Sequence, residues 1–268
     1  MLKMQKLSNI LGVLALVCIC SSCTVTKSSR AKPSYTNAKI NTTPLIEELK
    51  NLPEIDGPEI YIGVGKFRDL TGKRSTSDNY ATFSSAVTQG AEAYLMESLM
   101  ATGWFKVLER AEQESVLRER ALVNQTRQNF DEEPVVLPPQ KYAGVLAFGG
   151  ILDYDVNNIT GGAGAAYLGL GLTDEYRQDT VTVSLRIVST MTGEVLITTT
   201  SSKTIVSTKI SGTLFKFFDM DTLPAEAELG FAKNELVSTC VRSALDKAVI
   251  EIIHKGKERE YWKFKESK

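Results

Sequence analysis

The chain is poor in residues that do chemistry. Its 268 residues include one histidine, His254, and four cysteines. A Ser-His-Asp device would have to use His254, and no G-x-S-x-G elbow accompanies it. One histidine, with one of the two cysteines of the mature chain read below as lipidated, also rules out the common zinc ligand sets. His254 stands near the end of a helical pattern and reads as a capping or surface residue, where a partial positive charge suits the helix dipole. The formal net charge is −1, so the basic footprint of a nucleic-acid binder is missing. "GVGK" at 63–66 lacks the P-loop spacing, and Phe67 follows Lys66 where serine or threonine is required. Asp153 and Asp155 share one face of a strand and read as a wet surface rather than an acid/base pair. The sequence does not read as an enzyme.

The first residues are a signal. "MLKMQKLSNILGVLALVCICSSC" has a basic start at Lys3 and Lys6, then an apolar run from Ile10 to Cys20. That run falls short of the roughly 20 residues of a spanning helix. The small residues before Cys23 resemble a bacterial lipoprotein box, although Cys20 stands where the box usually has leucine. Cys23 would then carry the lipid and begin the mature chain; plain signal cleavage is the alternative. Thr24 follows in place of an aspartate, which by resemblance to lipoprotein sorting favours the outer membrane. Cleavage removes Cys18 and Cys20. A lipidated Cys23 rules out an internal disulfide, and Cys240 reads as a small buried hydrophobe. No cofactor is expected beyond the lipid on Cys23.

Apolar and charged residues make up 43% and 24% of the chain, enough for a core. The expected layout is a signal at 1–22, a lipidated tether and lead-in at 23–55, and an α/β domain at 56–268. Residues 24–43 are polar and aperiodic, as a tether should be. "PLIEELKNLPEIDGP" reads as a short helical turn, and Ile60, Ile62 and Val64 alternate as a strand. "KRSTSDNYATF" reads as a loop longer than usual. Helix spacing runs from Ser84 to Ala101, closed by Gly103. "WFKVLER" is a short strand. A charged helix follows, with Val116, Leu117 and Ala121 inward. "YAGVLAFGGIL" is a buried strand. The last helix runs from about Asn234, its cap, to His254, with Val237, Cys240, Val241, Ala244, Leu245, Ala248, Val249, Ile252 and Ile253 on one face. Tyr261 and Trp262 are possible anchors in the tail.

Between these helices lie two long hairpins, at about 150–175 and 195–232. In the first, Leu152, Tyr154 and Val156 are expected on one face. Gly161, Gly162 and Gly164 supply the turn, where positive φ is needed. Leu168, Leu170 and Leu172 then alternate with glycines, and "TVTVSLRIV" continues the pattern. In the second, Phe215 and Phe217 share a side. The limbs exceed the usual strand of 5–6 residues and match the 9–11 of a membrane strand. Four strands cannot close a barrel, and an open edge in lipid leaves backbone groups unpaired. If these hairpins cross a membrane, several chains must share one barrel. Extended soluble hairpins used for oligomer contacts fit the same pattern.

The stretches "FSSAVTQGAEAYLMESLMATGWFKVLERAEQESVLRER", "GGAGAAYLGLGLTDEYRQDTVTVSLRIVSTMTGEVL", "SSKTIVS" and "FKFFD" resemble the CsgG family of curli production assembly/transport lipoproteins. The likeness spans about Asp56 to Phe264, plus Cys23. It implies an α+β fold: a periplasmic α/β domain whose two hairpins join those of other subunits in one large transmembrane barrel. It implies an outer-membrane homo-oligomer of nine subunits that exports unfolded curli-type amyloid subunits by diffusion. A periplasmic accessory factor would cap the mouth, and confinement of the cargo would supply the driving entropy. The aperiodic loop would form the pore constriction. Phe83 matches the family's phenylalanine, Thr82 stands where the family has asparagine, and Tyr80 matches its tyrosine, although the loop looks one residue longer and leaves Asn79 a candidate for that position too. Packing of Phe83 onto the following helix is the alternative role. At the level of the whole protein, the alternative is a periplasmic lipoprotein that binds partners without forming a pore.

Overall fold

The computed structural model describes residues 43–76, 81–130, 137–160, 175–211, 214–219, 227–230 and 233–265. Helix α1 (Leu45–Lys50) leads to strand β1 (Ile60–Asp69), then to a small pair, β2 (Arg74–Thr76) and β3 (Ala81–Ser85). Helix α2 (Ala91–Ala101), β4 (Phe105–Glu109) and α3 (Gln113–Phe130) follow. The long strands are β5 (Val145–Thr160), β6 (Glu175–Ser189) and β7 (Val195–Ser211). β8 (Leu214–Asp219), β9 (Ala227–Gly230) and α4 (Lys233–Glu258) complete the chain.

One seven-stranded sheet runs β4-β1-β5-β6-β7-β8-β9. β1 lies parallel to both β4 and β5, and everything from β5 to β9 is antiparallel. The sheet is therefore α/β at one end and a meander at the other, the mixed α+β class that the sequence led us to expect. The parallel step from β1 to β4 needs a crossover, and α2 provides it.

Helices α1, α2 and α4 pack on one face of the sheet. α4 is apolar along one side, and Val237, Cys240, Val241, Ala244, Leu245, Ala248, Val249, Ile252 and Ile253 are all buried. They meet Val181, Val183, Leu185 and Ile187 of β6 and Ile197 and Ile205 of β7. Each large apolar side chain so buried contributes about 1.5–3 kcal/mol. Cys240 is buried, as its place in the apolar stripe suggested.

The two ends of the folded part are sewn together. Asp56 N donates to Lys263 O and Lys265 N to Glu54 O, both at 2.8 Å. Trp262 donates its Nε1 to Ile253 O at 2.8 Å and stands edge-on to Trp104, with ring centres 5.9 Å apart. A Cβ on Gly256 would meet the Trp262 ring at 1.9 Å, so glycine is what lets the ring close on α4. Trp262 is the anchor; Tyr261 is exposed.

Several sequence expectations are corrected. The helix read from Ser84 starts at Ala91, because Ser84 and Ser85 belong to β3. The loop read at 73–83 contains β2 and part of β3, which pair antiparallel. None of the residues of α3 is buried, so Val116, Leu117 and Ala121 do not point into a core. Asn234 lies within α4 rather than capping it, and the helix continues past His254. Tyr154 is buried while Leu152 and Val156 are exposed. A register shift in β5 between Ile151 and Asp153 parts Leu152 from Tyr154, which is how a bulge re-aims side chains; Val156 stays in phase with Tyr154 and is exposed nearer the end of the strand.

Candidate functional site

The candidate site is the run of long strands and the β2–β3 pair that stands beside it. β5, β6 and β7 have 16, 15 and 17 residues. At about 3.3 Å per residue, each is roughly 50 Å long. Tyr154 of β5, Asp179 of β6 and Ser207 of β7 are buried. Backbone pairing continues beyond them, through Asn157↔Gln178 to Thr160↔Glu175 and through Tyr176↔Thr208.

At that transition sits a polar cluster. Tyr154 donates its hydroxyl to Asp179 Oδ1 at 2.7 Å. Arg177 donates Nε to Asp179 Oδ2 at 2.8 Å and a terminal nitrogen to Oδ1 at 2.7 Å, a two-pronged pair. The same guanidinium reaches the Tyr154 hydroxyl oxygen at 2.9 Å. Ser207 donates to Arg177 O at 3.4 Å. The cluster ties β5, β6 and β7 together. Sequence reasoning missed it, although the signal was present. Asp179 falls in phase with Val181, Val183, Leu185 and Ile187, so alternation alone places it on the buried face.

The β2–β3 pair is clamped at its base. Asp69 Oδ1 accepts from Thr71 N and Oγ1, and Asp69 Oδ2 accepts from Gln89 Nε2 at 3.1 Å. Ala86 N donates to Lys73 O at 3.0 Å. Lys73 then reaches across to β5, to Asp155 at 2.8 Å, Asp153 at 3.7 Å and the Tyr154 carbonyl. Asp155, first by its hydrogen bond, holds the Lys73 ammonium above the usual lysine range. Asp153 and Asp155 are solvent-exposed, as read from the sequence, and they also fasten this loop to the hairpin.

The predicted site residues fall as follows. Thr82 and Phe83 lie on β3, within the clamped pair. Cys23, Asn79, Tyr80, Gly161, Gly162 and Gly164 lie outside the described residues, as do Leu168, Leu170 and Leu172. His254 is exposed and faces the Phe264 ring edge-on at 6.0 Å. Among the described residues, no group of three His, Cys, Asp or Glu could hold a metal. No described helix is long and apolar enough to cross a membrane.

The family model for the curli production assembly/transport component CsgG matches residues 46–268. The chain belongs to the CsgG family. The match begins earlier than the likeness read from motifs, and so takes in α1. The Citrobacter koseri curli production assembly/transport component CsgG is 32% identical over 256 residues, covering 93% of this chain and 89% of that protein. The Escherichia coli K12 protein of the same name is 32% identical over 235 residues, covering 86% and 84%. Among solved structures, the PelC dodecamer from Paraburkholderia phytofirmans aligns at 12% identity with a TM-score of 0.29, over 74% of this chain and 91% of that one. The CsgG family is a transport component and not an enzyme, in line with the lack of catalytic residues in the sequence.

Proposed function

We propose that the chain is one subunit of an outer-membrane channel that exports unfolded curli-type polypeptides. One observation carries this reading: β5, β6 and β7 stay paired beyond Tyr154, Asp179 and Ser207, the outermost of their residues described as buried. A hairpin that outruns its own core needs another environment for its far end. A membrane barrel shared among copies provides one, since only a closed sheet satisfies every backbone group in lipid. The curli assembly/transport names of the relatives supply the cargo class.

In this scheme residues 1–22 are removed, Cys23 carries lipid, and residues 24–42 tether the anchor to the fold. Gly161, Gly162 and Gly164 turn the first membrane hairpin. Nine subunits form the ring, and an accessory factor caps the periplasmic mouth. The clamped β2–β3 pair presents Phe83 and Thr82, with Asn79 and Tyr80 beside them, to the constriction. A ring of phenylalanines passes an extended chain and resists a folded one. Transport follows the entropy gained when confined cargo escapes.

Single-channel conductance of the detergent-purified, lipidated protein tests this directly, with Phe83→Ala alongside. Steady open steps that grow in the variant are expected. A pore of unchanged conductance would move the constriction away from Phe83 and leave the channel standing. A folded oligomer without conductance would sink the channel in favour of a lipoprotein that only binds partners.

A further inference from the structure

The sheet face opposite α4 carries a groove of about 600 Å³. Strand phase sets its residues. Ser184 and Arg186 alternate with Val183, Leu185 and Ile187, which pack with α4 in the core, so they point the other way. Phe148 pairs with Arg186, and Gly150 with Ser184. Arg68 stands beside Gly150 on the other side. The register of β1 shifts between Val64 and Phe67, both of them buried. Gly65 and Lys66 between them both line the groove, which is what a bulge does to the phase of a strand. The "GVGK" stretch, which lacks the spacing of a phosphate loop, thus forms one wall of this groove.

Glycine makes the floor. A Cβ on Gly65 would stand 3.0 Å from the Phe148 ring, and one on Gly150 would stand 2.7 Å from Arg68 O and 3.0 Å from Leu70. The ring therefore lies over β1, and the backbone at Gly150 is bare. Four cations surround this floor: Lys66 and Arg68 on β1, Arg186 on β6 and Arg110 just after β4. The Arg186 guanidinium stands 5.8 Å from the centre of the Phe148 ring. Arg110 spends its donors on neutral oxygens: the carbonyls of Glu109 and Lys141 and the amide oxygen of Gln113. No carboxylate belongs to the lining. The Glu109 carboxylate, next in sequence to Arg110, accepts from the N–H groups of Ala111 and Glu112. Asp69, next to Arg68, accepts from Thr71 and Gln89. Among the described residues, none of the four cations has an acidic partner. Like charges around one groove repel each other, and an anionic occupant relieves that repulsion.

The spacing of the charges selects the kind of anion. Lys66 and Arg68 are two positions apart on one strand, about 6.6 Å. β1 and β6 flank β5, so their backbones stand about 10 Å apart across the sheet. An extended polypeptide repeats its side chains on one face every second residue, at the same step of about 6.6 Å. Laid along β5, it sets alternate carboxylates beside Lys66 and Arg68, keeps Arg186 on its other flank, and rests on Phe148 and the bare backbone at Gly150. A lone phosphate has no group to set against Phe148 and no repeat to match the strand. We infer that this groove binds an acidic segment of a separate polypeptide, in extended form. The site does not require a pore, and a lipoprotein that only binds partners would use it as well.

Fluorescence anisotropy tests this on the full lipidated chain in detergent. The probe is a short labelled peptide of alternating glutamate and serine, and its counterpart carries glutamine for glutamate. The glutamate peptide is expected to bind and the glutamine peptide is not, with affinity that falls as salt rises. Arg68→Gln with Arg186→Gln should weaken binding about tenfold or more. Arg68→Lys with Arg186→Lys keeps both charges and should keep most of the affinity. Lys50→Gln with Lys247→Gln removes as many charges from the helical side and should change nothing. All four residues are exposed, and circular dichroism keeps any unfolded variant out of the comparison. A folded wild-type chain that binds neither peptide overturns the site. So does a loss that Lys50→Gln with Lys247→Gln reproduces, since overall charge then explains it. Inorganic phosphate or phosphatidylglycerol vesicles that bind more tightly than the peptide, through Arg68 and Arg186, overturn it in favour of a phosphate ligand. An oligomer that binds no peptide and falls apart in the Arg68→Gln, Arg186→Gln variant overturns it in favour of an interface between copies. Conductance read on the same preparations keeps the two proposals apart: an open pore with no peptide bound overturns this site alone.

Discussion

Lys73 and Asp155 are 82 positions apart in the chain and 2.8 Å apart in space. Their ion pair joins the loop that carries Phe83 to the strand that leads into the first hairpin. The β2–β3 loop is thereby held to β5 and not only to the segment that leads into α2.

Lys73→Gln should therefore change the channel more than it changes stability. Exposed ion pairs contribute little to folding and weaken with salt. The melting temperature should stay close to that of the wild type. Single-channel current should become noisier, because the loop keeps its Asp69–Gln89 clamp but loses its hold on β5. Wild-type current should move toward the same noise as salt rises. Equal current variance in the two proteins at low salt would show that the loop is held without this pair.

Asp246 of α4 fixes the start of the fold. It is buried and accepts from Thr43 and Ser98. Ser98 has one hydroxyl proton and also contacts Tyr94 O at 2.8 Å. Asp246 nonetheless takes up a proton more readily than a free aspartate. Burial raises its affinity for that proton, and the two hydroxyls offset part of the rise. The folded chain then binds the proton more tightly than the unfolded chain. Stability falls as pH rises from the ordinary carboxylate value through the folded one, and returns on acidification. Asp246→Asn should remove that slope and melt no lower than wild type at neutral pH. Asp246→Ala should lose about 1–3 kcal/mol, as its partners are left unpaired. Thermal melts across pH read both outcomes.

The legible part of the fold was the part governed by period. The apolar stripe of α4 and the alternation from Val181 to Ile187 are each a one-dimensional signal, and both appear where expected. The less legible part depends on two elements meeting. The bulge after Ile151 breaks the phase of β5, so a strict period of two put Leu152 and Tyr154 together. α3 has an amphipathic sequence, but amphipathicity does not say whether the partner is this chain or another. The loop at 73–83 has no period because β2 and β3 are too short to show one. Phe83 was located through its neighbours in the family pattern, whereas the Lys73 anchor needed the fold.

The Arg177–Asp179 pair should behave as a buried ion pair does. Removing one member leaves the other charge without its partner, which costs about 3–5 kcal/mol. Asp179→Ala should lower stability by that order and deplete the oligomer, since the cluster joins three strands. Arg177→Met added to it removes the stranded charge and should recover most of the loss. If the double variant is no more stable than Asp179→Ala alone, the defect lies in the lost hydrogen bond to Tyr154 and not in the uncompensated charge.

Gly256 gives a test with an optical signal. The chain has two tryptophans, and Trp104 and Trp262 meet edge to face against α4. A methyl group at position 256 cannot share space with the Trp262 ring, whose nearest atom would be 1.9 Å away. Either the ring leaves or the helix shifts. Gly256→Ala should therefore move tryptophan emission to the red and lower stability by about 1–3 kcal/mol, the usual cost of overpacking. Trp262→Leu combined with it should relieve the clash, and only Trp104 would then report. The tail also pairs with Glu54 and Asp56, so the single variant should expose the lead-in to protease as well. Unchanged emission with unchanged protease resistance would mean that the tail does not close on α4 as the ring packing requires.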